Sequence, residues 1–331
     1  MSIELMKMKS LLALAGGLLL AGCQSTHTPD WVLNQTPDTN MSFYAVGHGG
    51  TVRNAKNLAM DNINQKLWTQ VESSGSLRQV VRDVNGNEDY LTQSDTNVNV
   101  KTAPLVLTGV QYNRTEQSDG IYYVEASISR TNIIHQLNQE LNSIDEDANT
   151  ELLKLKHSDP LMWWLENRDT QSIKKNMLTR KAMLLAASNG NENGVSMDNV
   201  IKLERQANKT KSQLLFSVKA TKSDVMMSDF IKHHLSEKHV AVTTSSNKNN
   251  GATHQITLAT NWRQSKVGDA YITTVIINLA LKNKNGKTIA SREVIATGNS
   301  ISNFARSKES ASRHFSAQMS DQGIWHFLGL V

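Results

Sequence analysis

The chain has 331 residues, 39 % of them hydrophobic and 20 % charged, with a formal net charge of +5. That balance excludes wholesale disorder, and the length suits two domains. The single cysteine excludes a disulfide framework and any multi-cysteine metal site.

Lys7 and Lys9 precede an apolar run, Leu11–Leu20, which is too short to span a bilayer and right for a signal peptide. Leu20-Ala21-Gly22-Cys23 follows. A basic start, an apolar core, small residues and then cysteine resemble the lipobox of bacterial lipoproteins. The resemblance implies cleavage before Cys23, a diacylglycerol on its sulfur and an acylated new amine, so the membrane is a partner through that lipid. Each buried methylene contributes about 0.8 kcal/mol, so three chains hold firmly where one does not. Residue 24 is Gln, not the Asp that retains such proteins in the inner membrane; the resemblance therefore implies the outer membrane. The periplasmic side is the expectation, although these residues do not choose the face. Residues 1–22 are read as the signal peptide and 23–30 as a polar tether. Met6 or Met8 would give a more usual start.

Charge divides the mature chain. Residues 23–200 carry 15 basic and 21 acidic side chains, net −6, whereas residues 201–331 carry 18 and 8, net +10. Such asymmetry supports two domains with different surroundings.

The first domain is expected over residues 31–145. Phe43–Gly47 reads as a buried strand, and Gly47-His48-Gly49-Gly50 as a break. Val52, Ala55, Leu58, Ala59, Ile63, Leu67 and Val71 then recur every three or four residues, a helix that Thr51 can cap and Ser73-Ser74-Gly75 can end. Ser76–Asp83 reads as a strand and Asn85-Gly86 as a tight turn. Leu105–Arg114 and Ile121–Ser129 read as antiparallel strands. In the second, Val124, Ala126 and Ile128 are expected inside, with Glu125, Ser127 and Ser129 outside. A helix follows from Arg130 on Ile133, Ile134, Leu137, Leu141 and Ile144. A long helix on an antiparallel sheet is an α+β layer arrangement.

Pro29-Asp30-Trp31, then Phe43–Gly49, a helix of small apolar residues, Ser76–Val81, and finally the Val106–Arg114 and Asp119–Arg130 segments together resemble the Lipoprotein-20 (LPP-twenty) family. The likeness covers about a third of the chain. It implies a small outer-membrane lipoprotein, in some members an assembly or bracing factor of the flagellar basal body. It carries no catalytic residue. The extra C-terminal half departs from that pattern.

Residues 146–212 read as a helical connector, broken at Asp159-Pro160 and resumed at Leu161–Leu165, with a loop at Ser188–Asn191 and a last helix over Ser196–Lys211. Residues 213–331 read as a second, basic α+β domain of order β-α-β-β-β-β-α. Its elements are a Leu214–Val218 strand, a Val225–Leu235 helix (Met226, Met227, Phe230, Ile231 and Leu235 inward), a Val240–Thr244 strand and a Ser245–Gly251 loop. A strand through Ile256, Leu258 and Trp262, a Tyr271–Thr297 hairpin turning at Lys284–Lys287, and a helix on Phe304, Ala311, Phe315 and Met319 follow. The fold class is thus α+β, with two helix-on-antiparallel-sheet domains joined by a helical connector.

Chemistry-bearing constellations are sparse. His233, His234 and His239 lie close, but adjacent helical histidines point about 100° apart, so no metal site is assigned. His48 in its glycine turn lacks any phosphate-loop pattern around it, and a packing turn is expected. Asp145-Glu146-Asp147 reads as a solvated run at a helix end. Trp163-Trp164 reads as one core ring and one cover. No GxSxG occurs. The leading expectation is therefore a non-enzymatic, outer-membrane-anchored assembly or structural component of the envelope. It would need no cofactor and bind no nucleic acid, its partners would be envelope proteins, and a flagellar accessory is the narrower version. The sequence leaves the oligomeric state open. The alternative is a cell-wall or anionic-ligand binding module using the basic half. The lipobox has a direct check: Cys23→Ser should accumulate as an unprocessed, unacylated precursor by mass and metabolic acyl labelling, and a normally acylated variant would refute the anchor.

Overall fold

A computed structural model describes residues 28–85, 105–191, 195–243 and 251–330, without the side chains of 81–85. The lipobox Leu20, Ala21, Gly22 and Cys23, the turn residue Gly86 and nearly all of the 245–251 loop lie outside the described residues. The fold class is α+β, in two compact units: Met1–Ile144 with Lys175–Ser196, and Asp145–Lys174 with Met197–Val331. The helical stretch expected as a connector is thus divided between them.

The first unit holds a short helix α1 (Asp30–Leu33), β1 (Ser42–Gly49), α2 (Val52–Ser74), α3 (Ser76–Asn85), β2 (Gln111–Ser118), β3 (Ile121–Ser129) and the start of α4 (Arg130–Lys154). Its sheet runs β1-β3-β2, antiparallel throughout. Thr51 accepts from Asn54 N–H at the start of α2, and Gly75 ends it in the left-handed region. The helix lies on β1 and β3 because Gly47 admits it. A Cβ at Gly47 would stand 2.2 Å from Ala55 O and 2.3 Å from Ala59 N, so only a bare Cα lets the backbones approach. His48 is consequently part of β1, exposed and 6.3 Å from the Tyr123 ring, not in a turn.

Three further expectations fail in this unit. Ser76–Asp83 is helical, not extended. Leu77, Val80 and Val81 fit i, i+3, i+4 spacing as well as strand propensity, and Gln79 N–H bonds Gly75 O to begin the turn. The strand expected from Leu105 starts only at Gln111. Gln136 accepts from Thr108 N–H and donates to Val106 O, which takes those backbone groups out of any ladder. Glu125 and Ser127 are buried, not outward. The N-terminal segment crosses that face: Thr36 donates to Glu125, Trp31 Nε1 donates to Glu116 at 2.8 Å, and Ser127 pairs with Asn113 at 3.1 Å.

Arg130 ties this unit together. Its guanidinium donates to Thr39 O, Gln70 Oε1 and Ala187 O at 3.1–3.2 Å, with the Phe43 ring 4.0 Å away. Burial draws its pKa below the usual arginine value, against the pull of Asp38. Arg180 pairs with Glu140 at 2.9 Å within the same unit.

The second unit holds the end of α4, then α5 (Pro160–Glu166), the first part of α6 (Thr170–Ala187), α7 (Asp198–Gln213), β4 (Leu215–Lys219), α8 (Val225–Glu237), β5 (Ala241–Val242), β6 (His254–Val267), β7 (Ala270–Asn283), β8 (Thr288–Ser300), α9 (Phe304–Gln322) and α10 (Ile324–Phe327). From β4 to α9 the expected order holds. The sheet, however, is mixed: in the order β5-β4-β6-β7-β8, β4 pairs in parallel with both β5 and β6. The crossover through α8 allows this, since a helix can return the chain in the same direction. Met226 is 39 % exposed, not inward, while Met227, Ile231 and Leu235 are buried. Asp145-Glu146-Asp147 sits inside α4, not at its end, and Asp145 accepts from Asn199 N–H and Nδ2 near the start of α7.

Here too a strand glycine seats a helix. A Cβ at Gly298 would meet Ala311 N at 2.1 Å and Ser307 O at 2.3 Å. Beside it, the buried Thr273 and Ser307 hydroxyls lie 2.6 Å apart. Gly298→Ala and Gly47→Ala should each destabilise their unit by about 3 kcal/mol, at the upper end of overpacking costs, because backbone rather than a flexible side chain must yield. Urea unfolding monitored by circular dichroism checks this, and a midpoint unchanged for either variant would refute the contact.

Candidate functional site

The second unit carries a cleft of about 500 Å³ lined by Trp164, Arg168, Lys211, Lys238, Gln322, Gly323, Ile324, Trp325 and His326. Five segments build it: the end of α5 and the residues after it, the last turn of α7, the residue after α8, the end of α9, and α10.

Asp159 sets the first segment. Its carboxylate accepts from Leu161 N–H at 3.0 Å, the N-cap of α5, with Pro160 at the first helical position. The same carboxylate meets His254 Nε2 at 3.1 Å and Asn283 Nδ2 at 3.3 Å. His254 and Asn283 are register partners at the paired ends of β6 and β7, so one side chain anchors α5 to the sheet. An ionised carboxylate only accepts, so His254 donates from Nε2 to Asp159, and Nδ1 lies 2.9 Å from Thr253 Oγ1. Burial pushes the Asp159 carboxyl up; its bonds to His254, Asn283 and Leu161 outweigh that and hold it below the usual carboxylate range.

An aromatic chain runs from this anchor to the cleft. His254 stacks on Phe216 at 5.2 Å, Phe216 lies 6.1 Å from Trp325, and Trp325 meets Trp164 edge to face at 5.6 Å. Trp163 is fully buried and donates to Glu151 O at 2.7 Å, so the Trp163-Trp164 pair divides into a core ring and a cover. Neither the Trp164 nor the Trp325 indole N–H donates to another described residue. Lys211 Nζ stands 5.8 Å from the Trp164 centroid. Arg168 and Lys238 are exposed and Lys211 half-buried. Among the described residues none of the three forms an ion pair and no carboxylate lines the cleft.

A second buried carboxylate is structural. Asp224 is fully buried and accepts from Trp262 Nε1 at 2.9 Å, Thr260 at 3.0 Å, Ser223 at 3.1 Å and Thr221. It precedes α8 without bonding the helix N–H groups, and so locks β6 to the start of that helix. Burial pushes its carboxyl up, but the donors from Thr221, Trp262, Thr260 and Ser223 hold it below the usual range.

His233 and His234 both reach Glu237, at 3.2 and 3.0 Å, so the adjacent rings share one carboxylate instead of diverging. Among the described residues no group of three or more His, Cys, Asp or Glu could hold a metal ion. None of their helices is long and apolar enough to cross a membrane. Sequence reading did not single out His254 or Arg168 and took Asp159-Pro160 only as a break; the cleft draws Trp164 and Arg168 from outside residues 213–331. The signal available was Asp159-Pro160 before Trp163-Trp164, which marks a capped start but not its partner 95 residues on.

The chain matches no protein-family model and no curated protein. It is similar to the crystal structure of a secreted protein from Helicobacter pylori, at 14 % identity and a TM-score of 0.46, over 86 % of this chain and 98 % of that one. A minor lipoprotein from Acinetobacter baumannii is similar at 11 % identity and a TM-score of 0.26, over 33 % of this chain and 90 % of its own. PelC from Paraburkholderia phytofirmans, crystallised as a dodecamer, is similar at 16 % identity and a TM-score of 0.26, over 33 % and 88 %.

The carboxylates give a pH prediction. Both folded pKa values lie below the unfolded ones, so the stability they contribute is complete above the ordinary carboxylate value of about 4 and is lost as pH falls through the depressed values. Asp224→Asn should cost about 2 kcal/mol at neutral pH and flatten the acid side of the stability profile. Urea midpoints measured across that range check it, and an acid slope equal to wild type would refute the assignment.

Proposed function

We propose that this protein is a non-catalytic lipoprotein, anchored through Cys23 on the periplasmic side of the outer membrane, that recognises an anionic envelope partner through the cleft of its second unit. The single observation that carries the reading is the cluster of Arg168, Lys211 and Lys238 around two indoles, with no carboxylate among the described residues that line it. Other cations of this unit are answered by carboxylates, as Lys174 is by Glu204 at 3.2 Å and Arg306 and Arg313 are by Glu309; the cleft differs in gathering three cations beside two indoles. Cations gathered without counter-charges raise the local potential and draw anions.

Support for the anchor comes from Leu20, Ala21, Gly22, Cys23 and Gln24 in the sequence. A tethered protein meets its partner at high effective concentration, so a modest site suffices.

The mature chain carrying Cys23→Ser should co-sediment with purified envelope fragments at low salt and be released at high salt. Arg168→Ala/Lys211→Ala/Lys238→Ala should lose most of that binding. Lys219→Ala/Lys284→Ala/Lys287→Ala, which removes the same charge from exposed positions, should keep it. Equal loss in both triple variants, or retention by the first, would overturn the reading.

A further inference from the structure

We infer that the cleft is a phosphoryl-binding site whose ligand carries an apolar or neutral body, an assignment that rests on the anionic-partner reading above. The charged side chains of the lining are all hydrogen-bond donors. Arg168 offers a planar fork of N–H groups, Lys211 and Lys238 three protons each, and Trp164 and Trp325 an unpartnered indole N–H each. Gln322 alone brings a side-chain amide oxygen. The complement of such a wall is a group rich in acceptors and charge. A phosphate offers three or more oxygens to a guanidinium fork and two ammonium points, where a single carboxylate offers two.

Size and floor set the rest of the ligand. About 500 Å³ falls within the range of small-molecule pockets and far exceeds a bare phosphate. Trp164, Trp325 and Ile324 supply the apolar surface against which the body would lie. The Trp164 face is held by Lys211, and Trp164 meets Trp325 edge to face, so the floor is a pair of fixed indoles and not an open stacking platform. Phosphoryl groups reach an envelope protein from two sources: a phospholipid headgroup in the bilayer, or a soluble phosphorylated glycerol or sugar.

The test uses the mature chain with Cys23→Ser, titrated separately with inorganic phosphate, glycerol phosphate, phosphatidylglycerol vesicles and polyglutamate. Binding is read by isothermal calorimetry for the soluble probes, by sedimentation for vesicles, and by tryptophan fluorescence. Glycerol phosphate should bind more tightly than inorganic phosphate. Arg168→Ala/Lys211→Ala/Lys238→Ala should weaken it about tenfold or more, and Lys238→Ala, at an exposed position, should weaken it measurably with circular dichroism unchanged. Trp325→Phe, which removes one indole N–H and part of the floor, should reduce the fluorescence change and weaken calorimetric binding of glycerol phosphate. Vesicle binding competed by glycerol phosphate identifies a lipid headgroup as the source; glycerol phosphate binding without vesicle binding identifies a soluble ligand. Binding of polyglutamate without either phosphate ester would overturn the phosphoryl assignment and leave the anionic-partner reading standing. Absence of binding by every probe, including envelope fragments, would overturn both.

Discussion

Backbone contact between a helix and a strand glycine is the constraint on which both units depend. Gly47 lies under Ala55 and Ala59 of α2, and Gly298 under Ser307 and Ala311 of α9. In each case small residues on the helix meet a bare strand position, so the two backbones approach where an ordinary Cβ would hold them apart. In the second unit the consequence reaches the cleft. The seat at Gly298 fixes α9 along β8, and the end of α9 delivers Gln322, Gly323, Ile324, Trp325 and His326. The edge strand is closed by the same helix, since Gln318 donates to Ile295 O and His314 lies 3.1 Å from both Thr297 N and O.

Buried charge supplies the second level of order. Each such group is costly unless its lone pairs or protons are met, and here they are met by several partners at once. Asp224 gathers four side chains, Asp159 joins a helix start to two strand ends, and Arg130 spans three backbone or side-chain acceptors over an aromatic ring. The effect is orientation more than gross stability. Removing a buried ion's partners leaves it unpaired, so alternative packings of α5 against β6 and β7 are penalised. That is how a short helix such as α5 holds Trp164 at a fixed place.

The fold was largely legible where periodicity was unambiguous. Val52–Val71 reads only as a helix, and the hairpin around Lys284–Lys287 only as a hairpin; both stand as expected. Ser76–Asp83 was misread because its valines satisfy a strand by propensity and a helix by spacing, and local pattern cannot choose between them. Glu125 was misread because period-two alternation reports two faces but not whether a distant segment, here Trp31–Thr36, covers the second. The parallel pairing of β4 was illegible for a similar reason, since direction is set by the crossover and not by the strand's own residues.

The cleft shows why function was less legible than fold. Its residues come from positions 164 to 326, and no two of its cations are nearer than 27 places in sequence. Net charge alone does not locate such a cluster. Most of the +10 over residues 201–331 describes how many lysines and arginines are present, not where they are left unpaired. Arg306 and Arg313 add two charges to that sum, yet Glu309 answers both, and the two guanidiniums in turn hold its pKa low. Arg168 lies outside the basic half altogether and adds nothing to that sum, but it stands where α5 ends beside Trp164. What sets the cleft apart from a solvated surface is therefore the gathering of several cations around an apolar floor. That property appears only after Asp159, Gly298 and the small helix residues have brought the five segments together.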